Sequence, residues 1–278
     1  KFKFISHNEF EEAINSKSLE KKILITVDDG FISFYNNAWP ILKKKKIPFI
    51  IFINTETIGS NGYMDWPQIK EISKFNFVHI GNHSHSHGYL VDKTDEEIEK
   101  DLKTSIKIFK EKLNHETKFF AYPFGEYKKS YIQIVKKLGF KYGFGQHSGV
   151  MDKSKNRFEL PRFPINEKYG ELKRFKSIIN YFPLEYKKIL PEEKQLFIDT
   201  NPPKFKVEFF KEQKNLNNIN CYSNEGNVWE KSKTNFSNNI LTIEFREPFK
   251  PRRGRINCSL NDNGKWRWFG IQFPIKEN

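Results

Sequence analysis

The chain has 278 residues, 37% hydrophobic and 16% aromatic, with 28 Phe and 5 Trp, enough apolar side chain to bury a sizeable core and to exclude a disordered polymer. Lys and Arg number 48 against 34 Asp and Glu, a net charge of +14. The basic residues spread along the chain among abundant Asn, Ile and Phe instead of gathering into one arm, so the excess reads as a general compositional bias and not as a nucleic-acid surface. No apolar run approaches the roughly 20 residues that cross a bilayer, and Lys1-Phe2-Lys3-Phe4 lacks a signal peptide's apolar stretch. The chain starts at Lys1 rather than Met, which suggests a processed or trimmed form with residues upstream.

Strand-like and helix-like segments alternate through the first part. Lys22 to Val27 reads as a buried strand and Asn36 to Lys46 as a helix stopped before Pro48, with Lys43 to Lys46 at its solvated, cation-favouring end. Phe49 to Asn54 is a continuous apolar run, the pattern of a strand covered on both faces. Trp66 to Lys74 is expected to be helical and Phe77 to Ile80 a short strand. Thr94 and Glu97 form a capping box ahead of a helix whose Ile98, Leu102, Ile106, Phe109 and Leu113 keep helical spacing. Phe119 to Tyr122 is a strand, Ser130 to Leu138 a helix closed by Gly139, and Tyr142 to Phe144 another strand. Repeated βα units imply a parallel sheet, open or closed into a barrel.

Beyond Pro183, Pro191, Pro202 and Pro203 the pattern changes. Residues 205–210, 218–222, 240–245, 255–260 and 265–273 read as strands separated by Asn, Gly and Ser turns. The expected organisation is an α/β domain over residues 1–188, a Pro-rich connector over 189–203 and a small all-β, sandwich-like domain over 204–278. Cys221 and Cys258 fall on two predicted strands of that domain, too far apart for a CxxC motif; they are either a disulfide pair or buried thiols. Trp266 and Trp268 share one face of a strand and are read as core rather than as exposed sugar-stacking rings.

Two adjacent carboxylates, Asp28 and Asp29, end the first strand beside Gly30, where parallel α/β folds place their sites. The strand ending at Ile80 leads into Gly81-Asn82-His83-Ser84-His85-Ser86-His87, with three of the seven histidines. Two imidazoles four residues apart can face one ion, and a carboxylate from another strand completes an open metal site. His85, spaced differently from each, is expected to point away; His79 and His115 read as surface or packed histidines, and His7 as too far upstream to act.

Thr26-Val27-Asp28-Asp29-Gly30 resembles the TFDDG motif of the polysaccharide deacetylases, the NodB-homology or family-four carbohydrate esterases. His83-Ser84-x-x-His87 matches their H(S/T)xxH motif, and Ala121-Tyr122-Pro123-Phe124-Gly125 is similar to their RxPYG-type loop. Order and spacing agree over roughly residues 20–165. The resemblance implies a NodB-like distorted (β/α) barrel and metal-dependent N-deacetylation of an N-acetylhexosamine polymer or oligomer. It assigns Asp29, His83 and His87 to one divalent metal ion, zinc by default with cobalt or nickel as alternatives, and Asp28 to general base on the attacking water. The backbone N–H of Phe124 would stabilise the oxyanion, with Tyr122 and Pro123 beside it at the substrate; Trp66, outside these motifs, either lines a sugar subsite or packs in the core. Polymer deacetylation places such an enzyme in the periplasm, the cell envelope or outside the cell, with an N-acetylated glycan as partner and no nucleic acid.

Two positions depart from the family pattern. Ala121 stands where the third motif often has Arg, and Arg162 is the expected replacement from another strand, as in members resembling the biofilm poly-N-acetylglucosamine deacetylases. The late LxH motif that bears the proton donor is absent. Its role falls to His147 or, as in those biofilm-type members, to a His on an early strand upstream of this chain; Phe10 to Ile14 resembles the helix that follows that strand. The rival reading is a non-catalytic glycan-binding protein that keeps the fold and uses the β module; the complete Asp28, Asp29, His83 and His87 set favours the enzyme.

Overall fold

The structure, a computed structural model, describes residues 2–16 and 20–276. Its contacts divide into two compact units, Lys1–Pro123 with Tyr131–Phe144, and Phe124–Ser130 with Gly145–Asn278.

The first unit opens with β1 (Phe2–Phe4) and α1 (Phe10–Asn15), whose Phe10 and Ile14 are buried. β2 (Lys21–Ile23) pairs in parallel with β1. There follow β3 (Ile25–Asp29), α2 (Trp39–Lys45), β4 (Phe49–Ile53), α3 (Trp66–Ser73), β5 (Val78–Asn82), α4 (Asp95–Leu113), β6 (Phe119–Ala121), α5 (Lys129–Lys137) and β7 (Tyr142–Phe144). The β3 to β7 strands form one parallel sheet in sequential order, the βα succession expected of a half-barrel. All five residues of β4 are buried, as its unbroken apolar run demands of a strand covered on both faces. The run read as one strand over 22–27 is two, because the chain changes partners at Leu24: Lys21–Ile23 pairs with β1 and Ile25–Asp29 with β4.

Local rules set the helix ends. Thr94 and Glu97 make both hydrogen bonds of the capping box at α4, and Asp65 and Gln68 do the same at α3. α2 follows a π-helical turn over Phe34–Ala38 and ends at Lys46 in left-handed geometry, with Lys43, Lys44 and Lys45 in its last turn.

The second unit contains α6 (Leu172–Ile178), β8 (Phe182–Pro183), β9 (Lys188–Leu190), β10 (Lys206–Glu208), β11 (Asn220–Ser223), β12 (Glu230–Lys231), β13 (Lys233–Ser237), β14 (Ile240–Glu244), β15 (Arg253–Asp262) and β16 (Lys265–Pro274). One sheet runs β13-β14-β10-β9 and the other β12-β11-β15-β16-β8. Inward residues of both, among them Val207, Leu241, Ile256 and Phe273, share one core, so the arrangement is sandwich-like. This unit reaches beyond the expected 204–278: Ile189, placed by sequence in the connector, sits in the core on β9, and β8 pairs with β16. Residues 145–163 also belong here, since Lys155 Nζ bonds the Leu184 carbonyl and Phe163 packs on Trp268. The two-residue strands β8 and β12, and α6, carry too little periodicity to be read from sequence.

Cys221 and Cys258 stand opposite each other on β11 and β15, fully buried, and are joined by a disulfide. On β16 the pleat turns Phe269, Ile271 and Phe273 inward and sends Trp266 and Trp268 to the other face. Trp266 is 45% exposed and Trp229 is 44% exposed, which corrects the core reading of Trp266. Trp268 is half-buried and lies parallel to Tyr181, ring centroids 5.3 Å apart.

Candidate metal centre

Parallel register places Asp29 opposite Ile53 and Ile53 opposite Asn82, so the first two motifs leave the sheet at one level, separated by a single strand. Asp29 has φ 73° and Gly30 φ 78°. The reversal needs Gly at position 30, because a Cβ there would also lie 3.2 Å from the Ile53 side chain. Ser84 and His87 take left-handed backbone geometry too, at φ 72° and 52°. Such conformations cost energy in residues with side chains and persist only where surroundings over-determine them.

His83 follows β5 directly and its side chain is fully buried. Its Nδ1 lies 2.7 Å from the Ala121 carbonyl at the end of β6. A carbonyl can only accept, so Nδ1 carries the hydrogen and Nε2 presents a lone pair. That Nε2 lies 3.4 Å from Asp29 Oδ1, and His87 Nε2 lies 3.0 Å from the same oxygen. One donor atom from each of the three residues falls within 4.8 Å of the others, the one such His, Cys, Asp and Glu group among the described residues.

Side chains outside the donor set hold the loop. Asn82 Oδ1 accepts from the Ser84 N–H at 2.9 Å while its amide donates to Ser105 of α4 at 2.7 Å. Ser84 Oγ accepts from the His87 N–H. Asp101, also on α4, accepts from the His85 and Ser86 N–H groups at 2.8 and 3.0 Å. His85 Nδ1 bonds Thr55 at 2.9 Å, so this imidazole is turned to a structural partner and stands outside the metal group, as its spacing implies.

These residues fit a divalent cation. Asp29 Oδ1 and His83 Nε2 are buried without a well-formed hydrogen bond, a costly state that a shared ion would relieve. Burial pushes the Asp29 carboxyl up, but its contacts with His83 and His87 outweigh this and hold it well below the usual carboxylate range. Asp29 is therefore ready to bind as an anion. Asp28 is half-buried beside it and is not one of the converging donors.

The remaining predicted site residues divide between the units. Tyr122 and Pro123 are buried. Tyr122 packs edge-on against Phe120 and Tyr131. Trp66 is half-buried, the first residue of α3, and packs on the core around Ile69 and Ile72. Phe124, in the second unit, is half-buried with φ 59° and ψ 7°.

His147 is buried in the second unit, its pKa lowered to about 3 by burial and by the Lys194, Arg162 and Lys155 cations, against a raising hydrogen bond to the Glu159 backbone. Arg162 braces the same loop: its backbone N–H donates to the His147 carbonyl at 3.0 Å and its Nε to the Gly145 carbonyl at 2.8 Å. His7, His79 and His115 form a separate group in the first unit, with His7 stacked on His79 at 4.2 Å and His115 edge-on to His79 at 5.1 Å, so they are packed histidines.

Residues 15–143 match the family model described as polysaccharide deacetylase. Among curated proteins, the chain is 29% identical over 161 residues to a poly-beta-1,6-N-acetyl-D-glucosamine N-deacetylase of Staphylococcus aureus, across 53% of this chain and 56% of that one. The chain spans about half the length of the curated relatives it matches. Among solved structures, IcaB from Ammonifex degensii is similar at 25% identity and a TM-score of 0.59, over 64% of this chain and 82% of that one. The Streptococcus pyogenes deacetylase PplD, solved with acetate, gives 24% identity and a TM-score of 0.58 over 64% and 80%, a likeness of fold.

Proposed function

We propose that this chain, which carries a polysaccharide deacetylase domain over residues 15–143, hydrolyses the N-acetyl amide of an N-acetylhexosamine polymer or oligomer. The observation that carries this reading is the convergence of Asp29, His83 and His87 beside a second carboxylate, Asp28, that is not committed to the donor set. Asp29, His83 and His87 would hold one divalent ion, zinc by default with cobalt or nickel as alternatives. When bound, it supplies Lewis-acid polarisation of a carbonyl and acidifies water.

The chain's own residues supply the rest. The Ala121 carbonyl fixes the His83 tautomer, and Asp101 and Asn82 fix the loop, so the donors need little reorganisation. Asp28 accepts the proton of the attacking water. The Phe124 N–H is assigned to the oxyanion that forms as the carbonyl is attacked. As the C–N bond breaks, the amine leaves with a proton, giving acetate and a free amino sugar. His147 is this chain's candidate donor for that proton and Arg162 its candidate orienting cation. A group with a pKa near 3 is deprotonated at neutral pH and is a weak donor, so losing His147 is expected to cost less than losing Asp28.

The substrate class places the enzyme at the cell envelope or outside the cell, and the Cys221–Cys258 disulfide supports an oxidising compartment. Among the described residues, no helix is long and apolar enough to cross a membrane. The test is amine and acetate release from N-acetylated β-1,4- and β-1,6-linked glucosamine oligomers by the purified chain. We expect equal yields of the two products, abolished by a chelator and restored by a divalent ion. Metal binding and glycan binding without release would overturn the reading in favour of a glycan-binding protein.

A further inference from the structure

The third motif runs into Phe124-Gly125-Glu126, and in the second unit those residues are held from more than a hundred positions away. The Glu126 side chain is 1% exposed, yet its carboxylate is fully engaged. Arg252 donates to Oε2 from Nη2 at 2.8 Å and from Nε at 3.2 Å, and Arg253 Nε donates to Oε1 at 2.5 Å. The Phe124 carbonyl accepts from Gln272 Nε2 at 3.1 Å. The Arg253 guanidinium also lies over the Phe124 ring, 5.3 Å from its centroid. Gly125, at φ 69°, sits so close to Gln146 that a Cβ would fall 2.3 Å from its backbone nitrogen.

Those anchors share one origin. Arg253 and Arg255 lie two apart on β15, and Gln272 stands opposite Arg255 on β16, so all three project from one face of the sheet. Gln272 Oε1 is occupied by Arg255 Nε at 3.2 Å, which leaves its amide nitrogen directed to Phe124. A Phe in left-handed geometry is disfavoured in isolation and needs such over-determination. A buried carboxylate likewise needs charge-assisted partners, and two guanidiniums provide them.

We propose that the C-terminal sheet positions the third motif, with Glu126, Arg252, Arg253 and Gln272 acting as positioning residues that fix the Phe124 N–H by holding the carbonyl, ring and following carboxylate of that turn. This rests on the assignment of the Phe124 N–H to the oxyanion.

The experiment compares Gln272→Leu, Arg253→Met and Arg253→Lys with the unaltered chain in the full-length protein, reading kcat, KM, metal content, thermal transition and hydrogen exchange. Gln272→Leu removes one donor and no charge. It is expected to lower kcat about 10-fold or more, as a displaced oxyanion donor does, with KM within about 2-fold and metal content unchanged. Faster exchange should be confined to residues 123–127. Arg253→Lys should recover part of the kcat that Arg253→Met loses. Should Arg253→Met fail to fold, Gln272→Leu decides. Unchanged kcat in Gln272→Leu, or a fall that tracks only a lower thermal transition, overturns the proposal while leaving the deacetylase reading intact. An unaltered chain that binds metal and releases no amine overturns that reading, and the proposal with it.

Discussion

The two units bury their cores by opposite rules. In the first, β4 reads Phe-Ile-Ile-Phe-Ile with every residue buried, because Phe49, Ile51 and Ile53 pack with helix residues such as Trp39 and Ile69 while Phe52, on the other face, packs on Phe144 within the half-barrel. In the second, β14 reads Ile-Leu-Thr-Ile-Glu with only Leu241 and Ile243 buried, because each antiparallel sheet turns one face inward. The first unit has strands of at most five residues, one long helix, α4, and no cysteine; the second has the ten-residue β15 and β16 and a disulfide between neighbouring strands. The first therefore presents reactive side chains at strand ends on a scaffold held by burial. The second depends on a covalent link and on buried ion pairs.

The largest effects should come from the first unit's donors. Asp29→Ala should lose metal and lower activity by about 10³ or more, several kcal/mol of transition-state stabilisation, with the thermal transition of the second unit unmoved. Asp28→Asn should keep near-normal metal content and lower activity by about 10² or more; metal content and amine release on the same sample check it, and a parallel loss of metal would make Asp28 a ligand. Asp101→Asn weakens the acceptor for two loop N–H groups and is expected to reduce metal affinity by about 10-fold, as outer partners of ligands do. A metal competition titration reads it.

Reduction of Cys221–Cys258, which closes a loop of 37 residues, should destabilise the second unit by about 2–4 kcal/mol. Denaturant unfolding followed with and without reductant should show the change in that unit while the first unit keeps its metal. Acid acts on both units. Burial, with His7 and His115 nearby, lowers His79 to about 3 from an ordinary 6.5. Burial and three cations lower His147 likewise to about 3. Both stay neutral in the folded chain while the unfolded chain takes up protons below pH 6.5. The stability they represent is thus present above about pH 6.5 and lost as pH falls toward 3, by up to roughly 1.4 kcal/mol per pH unit for each. Replacing His79 by Gln should flatten that dependence in denaturant titrations between pH 6 and pH 4.

The same contrast explains what was legible in the sequence. The convergence of Asp29, His83 and His87 could be read because each lies within a few residues of a strand end and in a short, regularly spaced motif. Asp101 could not: on α4 it looks like any solvated helix carboxylate, and only the turn of the His loop toward α4 gives it a role. Tyr122 and Pro123 share a loop motif with Phe124, and spacing alone does not say which of them the core takes. The limit expected at 188 missed β9 and the 145–163 segment because pairing across a sandwich leaves no periodic trace in its shortest strands. Nor could two Trp two residues apart reveal which face of β16 is wet.

The central claim is that one divalent ion, held by Asp29, His83 and His87, is required for hydrolysis. The most direct test is a calorimetric zinc titration of metal-free unaltered chain and of His83→Ala, followed by amine release from acetylated glucosamine oligomers on the same samples. The account predicts one strong site and turnover in the unaltered chain, and loss of both in His83→Ala with its fold preserved. A His83→Ala chain that binds zinc as tightly and turns over as fast would contradict it.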